Sequence, residues 1–275
     1  DYLKAGLLDR AEDIFIGLRD TSQHEDAMNF LLEIYQLEKE WRKAIDIARQ
    51  QPGHSGHLWQ KEIANFYCEL AATEINNSRS DEARKLLDEA LGAHRKSVRA
   101  SILLGDLLAA AGDAESAIEA WKRIEQQNPG YLPLVAAKLM EAYRKLGRSE
   151  QGLQLLRSYL AEHPSLDPLD AALQWTLVDD GPEAAYQLVR DELRRNPTLL
   201  GLDKLLEAQI LLAPPEGRAD LELVKNLIHN HTRKVARYRC DSCGFKARQF
   251  YWRCPGCGAW ESYPPRRTEE FDLTP

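Results

Sequence analysis

Residues Val98–Pro129 read VRASILLGDLLAAAGDAESAIEAWKRIEQQNP and carry the clearest structural pattern in the chain. Two segments with apolar residues at helical spacing are separated by the turn sequence Ala111-Gly112-Asp113. The second segment ends at a proline, which cannot donate a hydrogen bond to the preceding turn. Within that segment Ala117 is small enough to let two helices approach closely, and Trp121 follows one turn later. The stretch therefore predicts two helices packed as a hairpin.

Small residues recur along the chain at the phase of Ala117, at successive intervals of 33, 39, 34, 35 and 33 residues. They are Ala11, Ala44, Ala83, Ala117, Gly152 and Ala185. A period near 34 residues with paired helices is typical of the tetratricopeptide repeat, whose hairpins stack into a superhelical solenoid. We therefore predict an all-α array over residues 1–197 with about six copies, the first of them truncated. A large residue follows one turn after five of the six, at Phe15, Leu87, Trp121, Leu156 and Val189.

Two irregularities interrupt this pattern. The 39-residue interval between Ala44 and Ala83 places about five extra residues near 51–57, which predicts a longer or offset hairpin. Ala11 lies at the start of the second helix of a hairpin, and the few residues before it can form only the end of the first helix. We therefore expect the chain to be a fragment, with room upstream for a membrane anchor. Pro164 and Pro197 repeat the phase of Pro129 and are expected to end the next two copies.

Residues 198–232 follow the last copy and predict two capping helices, at 198–212 and 219–229, separated by Ala213-Pro-Pro-Glu-Gly217. Because the terminal element of a repeat array faces solvent, it is expected to have a polar outer face. We also expect the second helix to lead into the C-terminal part of the chain.

Two cysteine pairs lie near the end of the sequence, in Cys240-Asp-Ser-Cys243 and Cys254-Pro-Gly-Cys257. Each pair is followed by glycine, at Gly244 and Gly258, which supplies the positive φ that such a turn often needs. Four thiolates at this spacing are typical of a tetrahedral metal site. We therefore predict a ribbon at 233–265 that binds one Zn²⁺ or Fe ion, followed by a flexible tail at 266–275. The predicted ligands are Cys240, Cys243, Cys254 and Cys257.

A disulfide framework is the alternative for four cysteines, but it is expected mainly in small secreted domains, and the sequence contains no segment of secretory type. A thioredoxin-like redox site would accompany a βαβ unit, which the pattern lacks. The fifth cysteine, Cys68, lies in an apolar helical segment and is predicted to be a small core residue. The metal interpretation is therefore preferred.

Aromatic and basic residues are concentrated in the ribbon. A module of about 26 residues buries little core, so its aromatic residues and a metal are expected to stabilise it together. The alternative is an aromatic and basic surface for nucleic acid. The aromatic residues are Tyr238, Phe245, Phe250, Tyr251, Trp252, Trp260 and Tyr263. The basic residues are Arg233, Lys234, Arg237, Arg239, Lys246, Arg248 and Arg253.

Charge differs between the two parts of the chain. Residues 1–228 contain 27 Lys or Arg and 38 Asp or Glu, a balance of −11, whereas residues 229–275 contain 9 and 5, a balance of +4. Opposite charge favours docking of the ribbon on the array, or a division of partners between them. The acidic array weighs against nucleic acid as its main ligand.

Motifs of the common enzyme classes are missing. The sequence contains no GxxxxGK[ST], GxGxxG, HExxH or GxSxG pattern, so nucleotide hydrolysis, dinucleotide binding, metalloprotease and hydrolase chemistry lack their residues. His229 and His231 are two residues apart and point to different sides of a helix, which disfavours a second metal site. We therefore predict no catalytic residues and no enzyme. The sequence also contains no run of about 18 apolar residues of the kind that spans a membrane.

The repeats followed by Tyr238-Arg-Cys-Asp-Ser-Cys-Gly-Phe245 and Trp252-Arg-Cys-Pro-Gly-Cys-Gly-Ala-Trp260 resemble the lipopolysaccharide assembly protein B (LapB) family of Gram-negative bacteria. The resemblance covers the whole chain and implies a rubredoxin-like ribbon with the four cysteines as ligands. It also implies a place on the cytoplasmic side of the inner membrane, behind an N-terminal transmembrane helix. A non-enzymatic adaptor is implied, which works with the protease FtsH to promote degradation of the deacetylase LpxC and contacts other lipopolysaccharide assembly proteins.

Two further functions remain open from the residues: a nucleic-acid- or ribosome-associated scaffold that uses the basic ribbon, and an electron-transfer module. The partner surface of an array is expected on the inner faces of the first helices of its hairpins. The polar candidates there, by repeat phase, are Asn29, Glu33, Arg99, Asp106, Glu141 and Arg144.

Overall fold

A computed structural model of the chain describes residues 2–3, 5–51, 59–163, 165–265 and 268–269. The described chain is helical as far as residue 235 and then forms a small antiparallel sheet. The prediction of an all-α repeat array with a small C-terminal module is confirmed. Two compact units divide the chain, Asp1–Ala111 and Gly112–Pro275.

The first unit contains six helices among its described residues, each packed against the next along the chain. They are α1 (Leu8–Leu18), α2 (His24–Leu37), α3 (Trp41–Gln50), α4 (Gln60–Asn76), α5 (Ser80–Ala93) and α6 (Val98–Ala110). Helix α4 has 17 residues, against 14 in α2 and 13 in α6. Part of the additional length between Ala44 and Ala83 therefore lies in this helix, and residues 52–58 lie outside the described residues.

The second unit continues the array with helices that again pack against their neighbours in the chain. They are α7 (Ala114–Gln127), a 3-10 helix (Pro129–Leu134), α8 (Ala136–Lys145), α9 (Ser149–Glu162), α10 (Leu166–Asp179), α11 (Pro182–Arg195), α12 (Leu199–Leu212) and α13 (Pro215–Val235). Asp113 caps the N-terminus of α7, since its carboxylate accepts a hydrogen bond from the Ser116 amide at 3.0 Å. Pro197 follows α11 as expected, whereas Pro164 lies outside the described residues.

The small residues of the repeat lie on the odd-numbered helices α1 to α11, and all six are buried. Four of the five large residues predicted one turn later are buried as well: Leu87, Trp121, Leu156 and Val189. The fifth, Phe15, is half-buried and stacks on Phe30 with 4.7 Å between ring centroids. The regular spacing of the small residues in the sequence therefore predicts correctly which side of each of these helices is buried.

Left-handed backbone recurs in the turn before each second helix. Gly112 has φ of 86° in the turn that the sequence predicted, and Gly147 and Gly181 have φ of 69° and 89° at the equivalent places. Lys39 and Ser78 occupy the same place with φ of 60° and 59°. Glycine adopts this conformation cheaply, whereas other residues lose about 1 kcal/mol there. The turn geometry is thus shared by hairpins whose turn residues differ.

Gly152 lies at a close crossing of α8 and α9, and replacing it by alanine is expected to destabilise the second unit. A Cβ built on Gly152 would lie 2.8 Å from Met140 Sδ and 3.1 Å from Tyr143 Cβ, so the helices must move apart. Overpacking of this kind costs about 1–3 kcal/mol, which exceeds the gain in helix propensity. Thermal unfolding of the variant measures the loss.

Gly217 provides the matched control, because it lies within α13 of the same unit and a Cβ there would meet nothing within 4 Å. Gly217→Ala is expected to leave the melting temperature unchanged or to raise it slightly. Equal effects of the two substitutions would show that the crossing at Gly152 tolerates a side chain.

The capping helices differ from the prediction at two places. Helix α13 begins at Pro215 and continues to Val235, beyond the predicted limit of 232. Proline fits the first turn of a helix, where its missing amide hydrogen has no intrahelical partner, so Pro215 begins α13 and only Ala213 and Pro214 separate it from α12. Its outer face is also not uniformly polar, since Leu223, Val224 and Leu227 are all exposed.

Three short strands follow α13 in the order β2-β1-β3. Strand β1 (Ala236–Arg239) pairs antiparallel with β2 (Lys246–Ala247) and with β3 (Thr268–Glu269). Residues 268–269 lie within the segment predicted as a flexible tail, and they give the second edge of β1 its backbone hydrogen-bond partners. Residues 266–267 and 270–275 lie outside the described residues. None of the described helices is both long and apolar enough to cross a membrane.

Candidate metal centre

The four ribbon cysteines converge on one point. All of their Sγ atoms lie within 4.8 Å of one another, with 3.9 Å between Cys240 and Cys257 and 3.7 Å between Cys243 and Cys254. A tetrahedral ion with metal–sulfur bonds of about 2.3 Å separates its ligands by about 3.8 Å, whereas a disulfide requires about 2.0 Å. All four cysteines are free of disulfides. The arrangement thus has the dimensions of a four-thiolate metal site.

Two turns of the same form present the sulfurs. In the first, the Gly244 amide donates to the Cys240 carbonyl at 2.8 Å, and in the second the Gly258 amide donates to the Cys254 carbonyl at 2.9 Å. Gly244 and Gly258 have φ of 76° and 73°, in agreement with the sequence expectation. Glycine therefore allows each chain to turn back immediately after its second cysteine.

An arginine precedes each turn and lies beside its glycine. Arg239 nitrogens lie 3.9 Å from a Cβ built on Gly244, and Arg253 Nη2 lies 3.5 Å from one built on Gly258. Four thiolates around a divalent ion carry net negative charge, and a nearby guanidinium stabilises such charge. Arg239 and Arg253 were predicted only as members of the basic set of the ribbon, not as neighbours of the sulfur cluster. The repeated pattern Arg-Cys-x-x-Cys-Gly at 239–244 and 253–258 could have revealed them.

Neighbouring polar groups change the pKa values of the cysteine thiols. Burial acts against ionisation of Cys240, but the Ser262 hydroxyl, 3.2 Å from its Sγ, and backbone amides lower its pKa to about 6. A backbone hydrogen bond lowers the pKa of Cys257. At Cys243 a backbone bond acts in the same direction, but partial desolvation and the three neighbouring cysteines outweigh it and raise the pKa to about 12. Adjacent sulfurs cannot all ionise unless a cation neutralises them. The chemistry of the donors therefore suits a metal ion.

The two sides of the cluster differ in exposure. Cys240 and Cys254 are buried, whereas Cys243 and Cys257 are exposed. On the buried side Tyr263 has no exposed surface, and its hydroxyl donates to the Phe245 carbonyl at 3.2 Å. Burial and the neighbouring cysteines raise the pKa of Tyr263, so the hydroxyl keeps its proton and its hydrogen bond.

The aromatic residues of the ribbon serve mainly as its core. Tyr238, Trp260 and Tyr263 are buried, and Phe250, Tyr251 and Trp252 are partly buried. Only Phe245 among the seven is exposed. This distribution favours the mini-core interpretation over an aromatic surface for nucleic acid, because stacked bases need accessible ring faces.

Tyr131 connects the ribbon to the helices of the second unit. It lies in the 3-10 helix between α7 and α8, and its ring stacks on Trp252 at 5.6 Å with an interplanar angle of 7°. Phe250 meets the same ring edge-on at 6.3 Å, and the Tyr131 hydroxyl donates to the Glu261 carbonyl at 3.1 Å. The expectation that the ribbon docks on the array is thus confirmed within this unit.

Burial of Tyr131 is nearly complete, at 6% exposure. Burial raises the pKa of its hydroxyl, with further contributions from Glu261 and Asp241. Tyr131 was not among the residues predicted to make a contact. The unusual segment Pro-Gly-Tyr-Leu-Pro-Leu between two helices indicates that Tyr131 lies in a special position. Nothing in that segment predicts a contact with Trp252, which lies 121 residues further along the chain.

The six predicted partner residues lie on α2, α6 and α8. Asn29 accepts a hydrogen bond from the Gln51 side chain at 3.2 Å, and Glu33 is exposed. Arg144 forms an ion pair with Glu141 at 2.9 Å, and its guanidinium lies 4.9 Å from the ring centroid of Trp175.

The other two candidates lie on α6. Arg99 is buried at 7% exposure and bonded to Glu69 at 2.8 Å, so its charge is used within the first unit. Asp106 is half-buried. Arg99 is therefore the least accessible of the six to a partner.

Family comparisons agree with both parts of the architecture. Residues 238–264 match a family described as a rubredoxin metal binding domain. Residues 68–131 and 138–165 match tetratricopeptide repeat families. The match to the ribbon covers all four cysteines.

Relatives with a similar sequence extend over nearly the whole chain. The lipopolysaccharide assembly protein B of Escherichia coli (strain K12) is 34% identical over 97% of this chain and 69% of its own length. The protein of the same name from Haemophilus influenzae is 29% identical over 99% of this chain and 69% of its own. A solved structure titled "Functional Characterization of Pseudomonas Aeruginosa pilF" is 14% identical, with a TM-score of 0.46 over 81% of this chain and 94% of its own.

The extent of these matches and the position of the four-cysteine ribbon behind the repeats lead to one assignment. This chain belongs to the lipopolysaccharide assembly protein B family.

Proposed function

We propose that this chain is a non-enzymatic adaptor that regulates lipopolysaccharide biosynthesis on the cytoplasmic side of the bacterial inner membrane. It would promote proteolysis of the lipid A deacetylase LpxC by the membrane protease FtsH through protein–protein contacts. The family assignment supports the pathway, and the stacked helical hairpins support the mode of action, since repeat arrays bind partners over extended surfaces.

The observation that carries the adaptor proposal is the docking of the ribbon on the array through Tyr131. The ribbon is packed into the helical unit instead of hanging from a linker, so the two parts can present one continuous surface. We propose a structural role for the metal, Zn²⁺ or Fe, held by Cys240, Cys243, Cys254 and Cys257. A bound ion supplies the cross-link between the two turns, and the aromatic residues hold the linked turns against the helices.

The partner surface is proposed on polar residues of α2 and α6 in the first unit and of α8 in the second. Asn29, Glu33 and Arg144 are exposed, whereas Asp106 and Glu141 are half-buried, so the first three are expected to contribute most. Arg99 belongs to the same proposal with a smaller expected role, because it is buried.

The test is a reconstituted degradation assay. Purified LpxC and FtsH in proteoliposomes are incubated with the full-length, membrane-anchored protein, and the loss of LpxC is followed over time. We expect faster loss in the presence of the protein and no acceleration by a variant in which Glu33, Glu141 and Arg144 are replaced by alanine. Equal loss with and without the wild-type protein would overturn the proposal.

The basic ribbon is the basis of the alternative function, a nucleic-acid- or ribosome-associated scaffold. Affinity capture of the full-length protein from cells separates the two. Recovery of the protease or the deacetylase supports the adaptor, whereas recovery of RNA or ribosomal proteins that is lost after nuclease treatment supports the scaffold.

A further inference from the structure

Residues 261–263 join the two cysteine turns of the ribbon. The Ser262 carbonyl accepts a hydrogen bond from the Asp241 amide at 2.7 Å, and the Tyr263 hydroxyl donates to the Phe245 carbonyl at 3.2 Å. Both contacts reach the first turn, although the segment follows the second turn in the chain. The segment therefore fixes one turn against the other.

Ser262 also contacts one of the cluster cysteines. Its hydroxyl oxygen lies 3.2 Å from Cys240 Sγ and 3.1 Å from the Ala259 carbonyl oxygen. A thiolate that holds a metal has no hydrogen to donate, so in the loaded site the serine hydroxyl supplies the hydrogen of this contact. Groups that donate to a ligand atom fix its orientation and change its electron donation to the metal. Ser262 is thus placed to act on a metal through Cys240.

Glu261 holds this segment in an unusual backbone conformation. Its φ is 50°, in the left-handed region that residues other than glycine rarely adopt. Its amide donates to the Trp252 carbonyl at 2.7 Å, and its carbonyl accepts from the Tyr131 hydroxyl at 3.1 Å. A strained residue persists only where its surroundings fix its position. Because Tyr131 belongs to the helices, the array supplies one of the bonds that fix Glu261.

We infer that Ser262 is a positioning residue of the metal site, and that Tyr131 sets its position through Glu261. The contacts run from the array to a ligand sulfur, through the Tyr131 hydroxyl, the Glu261 carbonyl and Ser262. The affinity of the ribbon for its metal is therefore coupled to its docking on the helices. By thermodynamic linkage, a bound metal also strengthens the docking. This inference rests on the proposed metal site but not on the proposed adaptor role.

Zinc affinity of the 275-residue chain, measured by competition with a chromophoric chelator, tests the role of Ser262. Ser262→Ala is expected to weaken zinc binding about 10-fold, because a group that orients a metal ligand is lost. Ser262→Thr keeps the hydroxyl and should retain nearly the affinity of the wild type. Ser158→Ala is the matched control, since Ser158 is exposed on α9 of the same unit; its zinc affinity should not change.

Cobalt substitution distinguishes this role from a merely structural one. Co²⁺ accepts thiolate ligands and shows a sulfur-to-metal charge-transfer absorption, whose energy depends on electron donation by the sulfurs. Without the hydroxyl donor Cys240 donates more strongly, so the band should move to lower energy in Ser262→Ala and stay in place in Ser262→Thr. A serine that only stabilised the turn through Ala259 would change stability without moving the band. An unmoved band in Ser262→Ala would therefore overturn the positioning role.

A double-mutant cycle tests the connection with the array. Tyr131→Phe removes the bond to Glu261 and is expected to weaken zinc binding about 3-fold, without emptying the site. Combined with Ser262→Ala it should weaken binding about 10-fold, as Ser262→Ala does alone, because the lost bond acts on the metal through Ser262.

The possible outcomes separate the two proposals. Equal zinc affinity in the wild type and Ser262→Ala would overturn the positioning role. A double variant about 30-fold weaker than the wild type, the product of the single effects, would overturn the coupling to Tyr131. A wild-type chain that binds no zinc would overturn the metal site itself, and this inference with it.

Discussion

Replacement of Cys240 and Cys243 by serine is expected to unfold the ribbon while most of the helical content remains. These two residues supply half of the sulfur cluster, and in small metal domains metal binding contributes about 10–16 kcal/mol of folding free energy. The ribbon core of Tyr238, Cys240, Cys254 and Tyr263 is too small to persist without this contribution. Bound metal should fall from one ion per chain to none, and far-UV circular dichroism should change little.

Hydrogen exchange gives the spatial readout for this variant. Amides in 240–263 should lose protection, and so should those of the 3-10 helix Pro129–Leu134, because Tyr131 loses its partners. Cys68→Ala is the matched control, since this buried cysteine lies on α4 of the first unit and is not a member of the sulfur cluster; the variant should still bind one ion per chain. Unchanged metal content and protection in the double serine variant would contradict the assignment of these cysteines.

Replacement of Tyr131 by alanine is expected to undock the ribbon without removing its metal. The substitution deletes the stack on Trp252, the edge contact with Phe250 and the hydrogen bond to Glu261. Truncation of a buried aromatic residue costs about 3–5 kcal/mol, a large part of the stability of a domain. The second unit should melt at a lower temperature, and Trp252 should become more accessible to a fluorescence quencher.

Tyr131→Phe separates the ring from the hydroxyl. It keeps the stacking surface and loses one hydrogen bond, so a loss of only about 0.5–1.5 kcal/mol is expected. A double-mutant cycle of Tyr131→Ala with Trp252→Ala should show a coupling of about 1 kcal/mol, because each substitution removes the same stack. Additive effects, or equal losses for phenylalanine and alanine, would contradict a docking role for the ring.

The raised pKa of Tyr131 also predicts in which direction alkaline pH changes the stability of the fold. In the folded protein burial keeps the hydroxyl neutral above its ordinary pKa near 10, whereas in the unfolded chain it ionises there. Its contribution to stability is therefore fully present below pH 10 and is lost as the pH rises towards the folded pKa. Tyr131→Phe should reduce this alkaline loss.

The cysteine cluster could be predicted because the residues of each of its two turns are close together in the sequence. Cys240, Cys243 and Gly244 act within one turn of backbone, as do Cys254, Cys257 and Gly258, so their roles are visible in adjacent letters. The turn glycines Gly112 and Gly147 are predictable for the same reason. Gly152 was recognised from its repeat phase, because the spacing of small residues reflects which side of each helix is buried.

Two kinds of feature were not predicted. Some are contacts between residues far apart in the sequence, and others are backbone conformations that no neighbouring residue type indicates. Tyr131 and Trp252 have no pattern that relates them, and Lys39 and Ser78 adopt left-handed turns without glycine. Residues 268–269 were assigned to a flexible tail because two residues of strand carry too little pattern to be recognised. Each of these features depends on which surfaces meet after the helices have formed.

The amino-acid sequence by itself determined the helical repeats, the grouping of the four ribbon cysteines and the membership of the chain in its family. The spacing of apolar residues and of cysteines reflects interactions between residues close together in the sequence. Such interactions do not depend on how the helices and strands are arranged in space. Only the tertiary structure decided that the ribbon packs on the 3-10 helix, that Arg99 is buried and that α13 leaves three apolar side chains exposed. Burial is a property of the assembled molecule, because it depends on which surfaces come together to exclude water.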